Sequence, residues 1–270
     1  MKYIQASFET TDATIKEVLV AHLAELGFDS FDENSTHLHA YIPQPDFDEL
    51  QLQSVTEQFD VKAAVTIIEQ ENWNAEWEKA FEPVKVGDFC TIRATFHEPD
   101  PSSRYDIIIT PKMSFGTGHH ATTQLMVRQM QQLDFNGKRV FDFGCGTGIL
   151  AILAEKLGAG EVIAVDNDEW SYENAAENLE HNLSKKVSVS QGSIEHAGNE
   201  QYDIILANIN RHILIQYMKE MKVLLKKGGT ILMSGLLSED EPLIVSEASK
   251  AGFIFKSKIE LNNWICLSFS

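Results

Sequence analysis

The sequence predicts a doubly wound α/β fold: a seven-stranded sheet, parallel except for one strand, preceded by a small α+β unit. Three observations carry this. From residue 138 onward, short β-rich apolar runs alternate with helical runs, which is the pattern of repeated βαβ units. A glycine loop, Gly144-Cys145-Gly146-Thr147-Gly148, joins the first of those strands to the first of those helices. Ahead of them, about 68 residues read strand, helix, two strands, helix, strand. The expected organisation is a unit over 1–68, a linker helix over 69–82 and a large domain over 83–270.

In the first unit, residues 3–9 alternate well enough for a strand. Thr11 or Asp12 then caps a helix whose apolar residues Ile15, Val18, Leu19, Leu23 and Leu26 fall three and four apart, and Gly27 stops it. Phe28–Asp32 and Leu38–Ile42 flank Asn34-Ser35 as a hairpin. Pro43 and Pro45 break the chain, residues 46–59 return to helical spacing, and residues 63–68 form a last strand. This βαββαβ order is the split βαβ, ferredoxin-like unit. It contains no nucleophile, metal cluster or glycine loop, so a docking role is expected of it.

Residues 69–80 read as a polar linker helix with Trp73 and Trp77 on one face. A turn at Gly87-Asp88 separates residues 81–86 from a strand over 89–96, and a second strand follows over 105–109. Then comes Phe115-Gly116-Thr117-Gly118-His119-His120, which opens an amphipathic helix through Leu125, Met126, Met130 and Leu133. Loops that carry aromatics and histidines in this way often cover a bound ligand. A helix cap is the alternative role for His119 and His120. Metal binding is not expected, because adjacent histidines on a helix point apart and no HExxH or CxxC motif supports them.

The remaining elements alternate strictly. Strands are expected over 139–143, 161–166, 187–190, 202–207 and 230–234, and helices over 148–157, 169–182, 211–226 and 238–250, with Lys227-Gly228-Gly229 as a helix stop. Residues 253–261 and 264–269 are joined only by Asn262-Asn263, which allows a hairpin but no crossover, so they pair antiparallel. The sheet is therefore Rossmann-like, and its ligand belongs at the carboxyl ends of the strands.

The glycine loop narrows that ligand. The run Asp142-Phe143-Gly144-Cys145-Gly146-Thr147-Gly148 is D-x-G-x-G-x-G, and Ile149 stands where a dinucleotide fingerprint needs its third glycine. No Gly-Lys-Ser/Thr follows, which excludes a P-loop. The next strand ends on Asp166, 22 residues after Gly144, where a carboxylate can accept hydrogen bonds from both hydroxyls of a ribose. An adenosine-type ligand without phosphate follows, and S-adenosylmethionine fits. The fourth alternating strand ends on Asn208, whose side-chain carbonyl could accept from an amine; Asn210 suits the cap of the next helix better.

Charge bounds the partner. The net charge is −18, and residues 1–70 alone carry 13 acids and 3 bases, net −10. Phosphate binding needs a basic face, so a nucleic-acid substrate is disfavoured and a basic partner favoured. Cys90, Cys145 and Cys266 are odd in number and far apart, which points to a reducing compartment. No apolar run reaches the roughly 18 residues of a membrane span, and no signal peptide is recognised. A cytoplasmic protein without a membrane partner is expected, as is a monomer.

These residues resemble a known family. The glycine loop, strand-end Asp166 and terminal hairpin are similar to the seven-strand S-adenosylmethionine-dependent methyltransferases. Trp73-Asn74 and Trp77, Phe115-Gly116-Thr117-Gly118-His119-His120 with Thr122-Thr123, Asp142 to Ile152, Ala207-Asn208-Ile209 and Ser234-Gly235-Leu236-Leu237 resemble the family that methylates ribosomal large-subunit protein eleven. The motifs lie within residues 70–270; residues 1–70 match mainly in order of elements. The resemblance implies methylation of lysine side chains and of the N-terminal amine of that ribosomal protein, held by the small N-terminal domain. It also implies cofactor contacts at Thr123, Gly144, Asp166 and Asn208. With Gly146 and the loop residues Phe115, Gly116, Thr117, Gly118 and His119, these make the candidate binding set, and Asn208 is the candidate catalytic residue.

Overall fold

The computed structural model describes residues 3–59, 61–68, 81–112, 116–198 and 200–270. The chain divides into two compact units, residues 1–76 and 77–270. The linker helix expected over 69–80, with Trp73 and Trp77, lies outside the described residues, and so does Phe115.

The first unit follows the βαββαβ order: β1 (Tyr3–Glu9), α1 (Ala13–Glu25), β2 (Ser30–Glu33), β3 (His37–Pro43), α2 (Glu49–Phe59) and β4 (Ala63–Ile68). The sheet order is β2-β3-β1-β4, with every neighbouring pair antiparallel. Asp12 is the cap of α1; its carboxylate accepts from the Thr14 and Ile15 amides at 2.8 and 3.2 Å, which satisfies donors the helix cannot. Alternation buries one face. Ile4, Ala6 and Phe8 of β1 and Leu38, Ala40 and Ile42 of β3 pack with Leu19 and Leu23 of α1 and Leu52 and Val55 of α2.

The second unit begins with strands that the sequence pattern assigned to no sheet. β5 (Val84–Val86), β6 (Cys90–Ala94) and β7 (Tyr105–Ile109) form a three-stranded sheet of their own. Next come α3 (Ala121–Met130), β8 (Arg139–Phe143), α4 (Ile149–Lys156), β9 (Glu161–Asp166), α5 (Glu169–His181), β10 (Val187–Gln191) and β11 (Tyr202–Asn208). The chain ends with α6 (Arg211–Gln216), α7 (Met218–Leu224), β12 (Leu225–Leu237), α8 (Glu241–Lys250), β13 (Phe255–Leu261) and β14 (Trp264–Phe269).

The main sheet has the order β10-β9-β8-β11-β12-β14-β13. Only β14 runs against the rest, pairing antiparallel with both β12 and β13. Asn262 and Asn263 have φ of +50° and +65°, the backbone of a two-residue hairpin turn. Both faces are covered, so consecutive residues enter different cores. Val140 and Ile204 belong to one; Phe141 and Ile205 belong to the other.

Two expected boundaries move. The helix expected over 211–226 is two helices broken at Tyr217, and it stops at Leu224 instead of at the glycines. Leu225 is already a buried strand residue opposite Tyr202, and the pairing then jumps to Ile204 opposite Thr230. Residues 226–229 are thus a bulge beside the sheet, since burying Leu225 outweighs one more helical turn. The helix expected from 238 opens with a 3₁₀ turn, Ser238–Asp240, before α8.

Candidate cofactor site

Strand order reverses between β8 and β11, and ligands of such sheets lie at that switch point. The pairing of Ala207 with Phe143 sets the next residues, Asn208 and Gly144, side by side. Asn208 also faces Ser234 across β12. The Asn208 amide is half-buried and makes no side-chain hydrogen bond to any described residue. Asn210 is the N-cap residue of α6.

The glycine loop is wired to the sheet by its backbone. The Gly144 and Cys145 amides both donate to the Val165 carbonyl, at 2.9 and 3.0 Å. The Gly146 amide donates to Asp166 Oδ2 at 2.8 Å, and the Asp168 amide to Asp166 Oδ1 at 3.0 Å. Strand-end Asp166 therefore holds the glycine loop through its carboxylate. Gly144 has φ of +73°, and a Cβ on it would lie 2.2 Å from Ile209 Cγ2. Gly235, with φ of +84°, would place a Cβ 2.3 Å from the Ile209 carbonyl oxygen. Ile209 is thus wedged between two positions that only glycine can fill.

Beneath the loop sits Asp142, fully buried, with no hydrogen bond of ordinary geometry from any described residue to either carboxylate oxygen. Burial pushes its carboxyl up to about 7, and the nearby Asp166 charge adds to the rise, while the Ala151 backbone amide pulls the other way. The Cys145 thiol is raised chiefly by burial, and then by the charges of Asp142 and Asp166, which makes it inert.

The connection into α3 reaches the same loop. Thr147 Oγ1 donates to the Gly116 carbonyl at 2.6 Å, and Gly118 packs on Ile92 of β6. Thr117 is half-buried. The two histidines part. His119 is exposed and meets Phe81 edge-on at 4.8 Å, so its ring is committed to the start of the large unit. His120 caps α3: the Thr122 amide donates to its Nδ1, and its ring stands edge-on to Trp264 at 4.5 Å. Thr123 is buried in the first turn of that helix. The structure therefore gathers Gly144, Gly146, Asp166, Asn208 and Gly116, places Thr117 and Gly118 on the adjoining stretch, and sets the His119 ring against Phe81.

Sequence reasoning missed the supports. Asn174 and Asn178 of α5 and Asn182 at its C-cap lie four apart and stitch the helix to β7 and the chain leaving it. The Ile108 and Thr110 amides donate to Asn182 and Asn178 Oδ1 at 3.0 and 2.8 Å, and Asn174 donates to the Thr110 carbonyl at 3.2 Å. Asn178 Nδ2 also donates to the Thr147 carbonyl at 2.9 Å. The i, i+4, i+8 spacing of asparagines was the available signal, since such residues rarely line one helix face without partners.

The residues present suit an adenosyl sulfonium. There is a turn at Gly144 packed so closely on Ile209 that no Cβ fits, a strand-end carboxylate that could accept from ribose hydroxyls, and a buried carboxylate that a nearby cation would relieve. Among the described residues no group of three or more His, Cys, Asp or Glu side chains could hold a metal, and no helix is long and apolar enough to cross a membrane.

Known proteins share this sequence and fold. The family model described as ribosomal protein L11 methyltransferase (PrmA) matches residues 5–270. A ribosomal protein L11 methyltransferase of Porphyromonas gingivalis is 41% identical over 284 residues, covering 100% of this chain and 98% of the relative. One of Chlorobaculum tepidum is 34% identical, covering 97% and 94%. The solved ribosomal protein L11 methylase of Lactobacillus delbrueckii subsp. bulgaricus superposes with a TM-score of 0.65 at 27% identity, covering 70% of this chain and 97% of that one.

Proposed function

The chain belongs to the ribosomal protein L11 methyltransferase (PrmA) family, and from that premise we propose how its residues divide the work. The enzyme transfers methyl groups from S-adenosyl-L-methionine to ribosomal protein L11. When bound, that cofactor supplies a methyl already activated on sulfur. The protein has to hold the cofactor, deliver a neutral amine in line with the methyl, and keep water out.

Gly144 and Gly146 let the backbone approach the nucleoside, Asp166 accepts from the ribose hydroxyls, and Thr123 lines the site from α3. Gly116, Thr117 and Gly118 border it on the other side. Asn208 Oδ1 accepts an N–H of the incoming amine and turns its lone pair toward the methyl. A near-attack pose with reacting atoms about 3–3.5 Å apart can contribute roughly 7–11 kcal/mol. Deprotonating a lysine amine of pKa near 10.4 at pH 7 costs about 4.6 kcal/mol, and an α-amine near 8 only about 1.4. Desolvation beside a sulfonium lowers the amine pKa further, so no dedicated strong base is required. Lysine side chains and the N-terminal amine are both within reach of this chemistry.

The observation that carries the reading is the side-by-side placement of Asn208 and Gly144, with the Asn208 amide free to act. Asn208→Ala should lower kcat on the order of a hundredfold, the scale of one lost oriented hydrogen bond. The cofactor Kd, by calorimetry, should move far less; equal losses in both would reject the orienting role.

Residues 1–68 are proposed to dock the basic ribosomal protein, supported by their concentrated negative charge. A protein lacking them should bind the cofactor yet leave L11 unmethylated, and retained L11 methylation would remove the docking role. A cytoplasmic location is proposed with it, supported by three buried free cysteines.

A further inference from the structure

The cofactor loop and the connection into α3 meet at one residue that neither the motif nor the family resemblance assigns. Thr147 is buried, with about 1% of its surface exposed. Its two polar ends face different elements. The hydroxyl donates to the Gly116 carbonyl at 2.6 Å; its own carbonyl accepts from Asn178 Nδ2 at 2.9 Å. Asn178 in turn accepts from the Thr110 amide at 2.8 Å. The start of the connection and its middle are thus tied to the same spot on the glycine loop. The fit is close: a Cβ at Gly116 would stand 3.0 Å from Thr147 Oγ1. Past Gly116, the chain runs to His120, whose carbonyl accepts from the Thr123 and Gln124 amides at 3.1 and 3.3 Å and starts α3.

We propose that Thr147 is a positioning residue, a latch whose hydroxyl holds the Gly116–Gly118 stretch against the glycine loop so that the stretch retains bound cofactor. The inference rests on the reading that the cofactor lies against this loop. Thr147 touches no reacting atom; it acts through Gly116. A hydroxyl is required because the acceptor is a backbone carbonyl, and nothing else among the described residues donates to it. Valine has the shape of threonine but no donor, whereas serine keeps the donor.

The test compares Thr147→Val and Thr147→Ser in the full chain. The first readout is the affinity for S-adenosylmethionine with its dissociation rate. The second is hydrogen exchange of the Thr123 and Gln124 amides without cofactor. Losing one hydrogen bond of ordinary strength should weaken cofactor binding and speed its release by on the order of tenfold in the valine variant, while the serine variant stays within about twofold of wild type. Exchange of the two amides should quicken in the valine variant alone. Unchanged affinity in the valine variant overturns the latch, whether or not exchange quickens. Affinity lost with exchange unchanged would put the hydroxyl on the cofactor itself and overturns the positioning role. Serine as damaging as valine overturns it too. If the valine variant does not fold, Thr147→Ala removes the same donor without added bulk and is read against the same outcomes. Wild-type protein that fails to bind the cofactor brings down the site reading and the latch together; wild type that binds and methylates while the valine variant matches it removes only the latch.

Discussion

The turn after β8 and the connection into α3 meet where Thr147 bonds Gly116, yet they are held by different means. The turn is fixed by its own backbone: three amides bonded to Val165 and Asp166, and a glycine at φ of +73°. The connection is hung on side chains from distant parts of the large unit: Thr147 at Gly116, Phe81 at His119, Trp264 at His120. Backbone wiring leaves little freedom and tolerates almost no substitution at the turn itself. Side-chain wiring distributes the hold, so each contact can be lost singly. A rigid floor with an adjustable wall suits a site that must grip a cofactor and still release its product.

The comparison breaks most visibly at Gly144. Gly144→Ala adds a methyl at 2.2 Å from Ile209 and forces φ of +73° on an L-residue. Left-handed strain and overpacking together should destabilise the fold by roughly 2–6 kcal/mol. Thermal unfolding checks the size, and cofactor binding should be lost even where the protein remains folded. A loss below 1 kcal/mol, by the same measurement, would mean the floor is not rigid.

Asp142 sharpens the comparison from underneath the turn. Its carboxyl is raised to about 7 in the folded protein, chiefly by burial, and lies near 3.9 in an unfolded chain. The folded state therefore binds the proton more tightly. Stability contributed by protonated Asp142 is present at low pH and is lost as pH rises toward and through 7. Asp142→Asn removes that charge. Without cofactor it should raise stability at pH 8 by roughly 2–4 kcal/mol and leave stability at pH 4 nearly unchanged. A constant difference across that pH range would show that Asp142 does not titrate as its burial requires.

The same contrast explains what could be read from the sequence. The turn was legible because glycine spacing, strand-end Asp166 and the βαβ repeat are local signals within a few tens of residues. The antiparallel β14 was legible for a similar reason: only Asn262-Asn263 separate it from β13. The strand-end placement of Asn208 was legible from strand order. The supports of the connection were not, because no motif or repeat ties Thr147, Phe81 and Trp264 to their partners. The partners of Asn178 and Asn182, the Thr110 and Ile108 amides, lie some seventy residues earlier, so their role is set by tertiary contact. The break at Tyr217 and the bulge at 226–229 were hidden because burial of Leu225, a tertiary event, decided where the helix ends.

His120 offers the smallest and most separable effect. Its Nδ1 accepts from the Thr122 amide at 3.4 Å and lies 2.8 Å from Thr122 Oγ1. An amide can only donate, so Nδ1 is the bare nitrogen and the neutral ring carries its proton on Nε2. The ring also stacks edge-on to Trp264. His120→Asn retains a side-chain acceptor for the cap and loses the ring; His120→Ala loses both. An aromatic pair contributes about 0.5–1.5 kcal/mol and a cap about 0.5–2. The asparagine variant should therefore fall about 1 kcal/mol below wild type in denaturant unfolding, and the alanine variant roughly another 1 below that. Neither change touches the amides that Asp166 and Val165 hold, so the Gly146–Asp166 contact should persist in both. If the alanine variant instead disordered the glycine loop, shown by lost exchange protection at the Gly144 and Gly146 amides, the wall and the floor would be one cooperative unit, not two separately held ones.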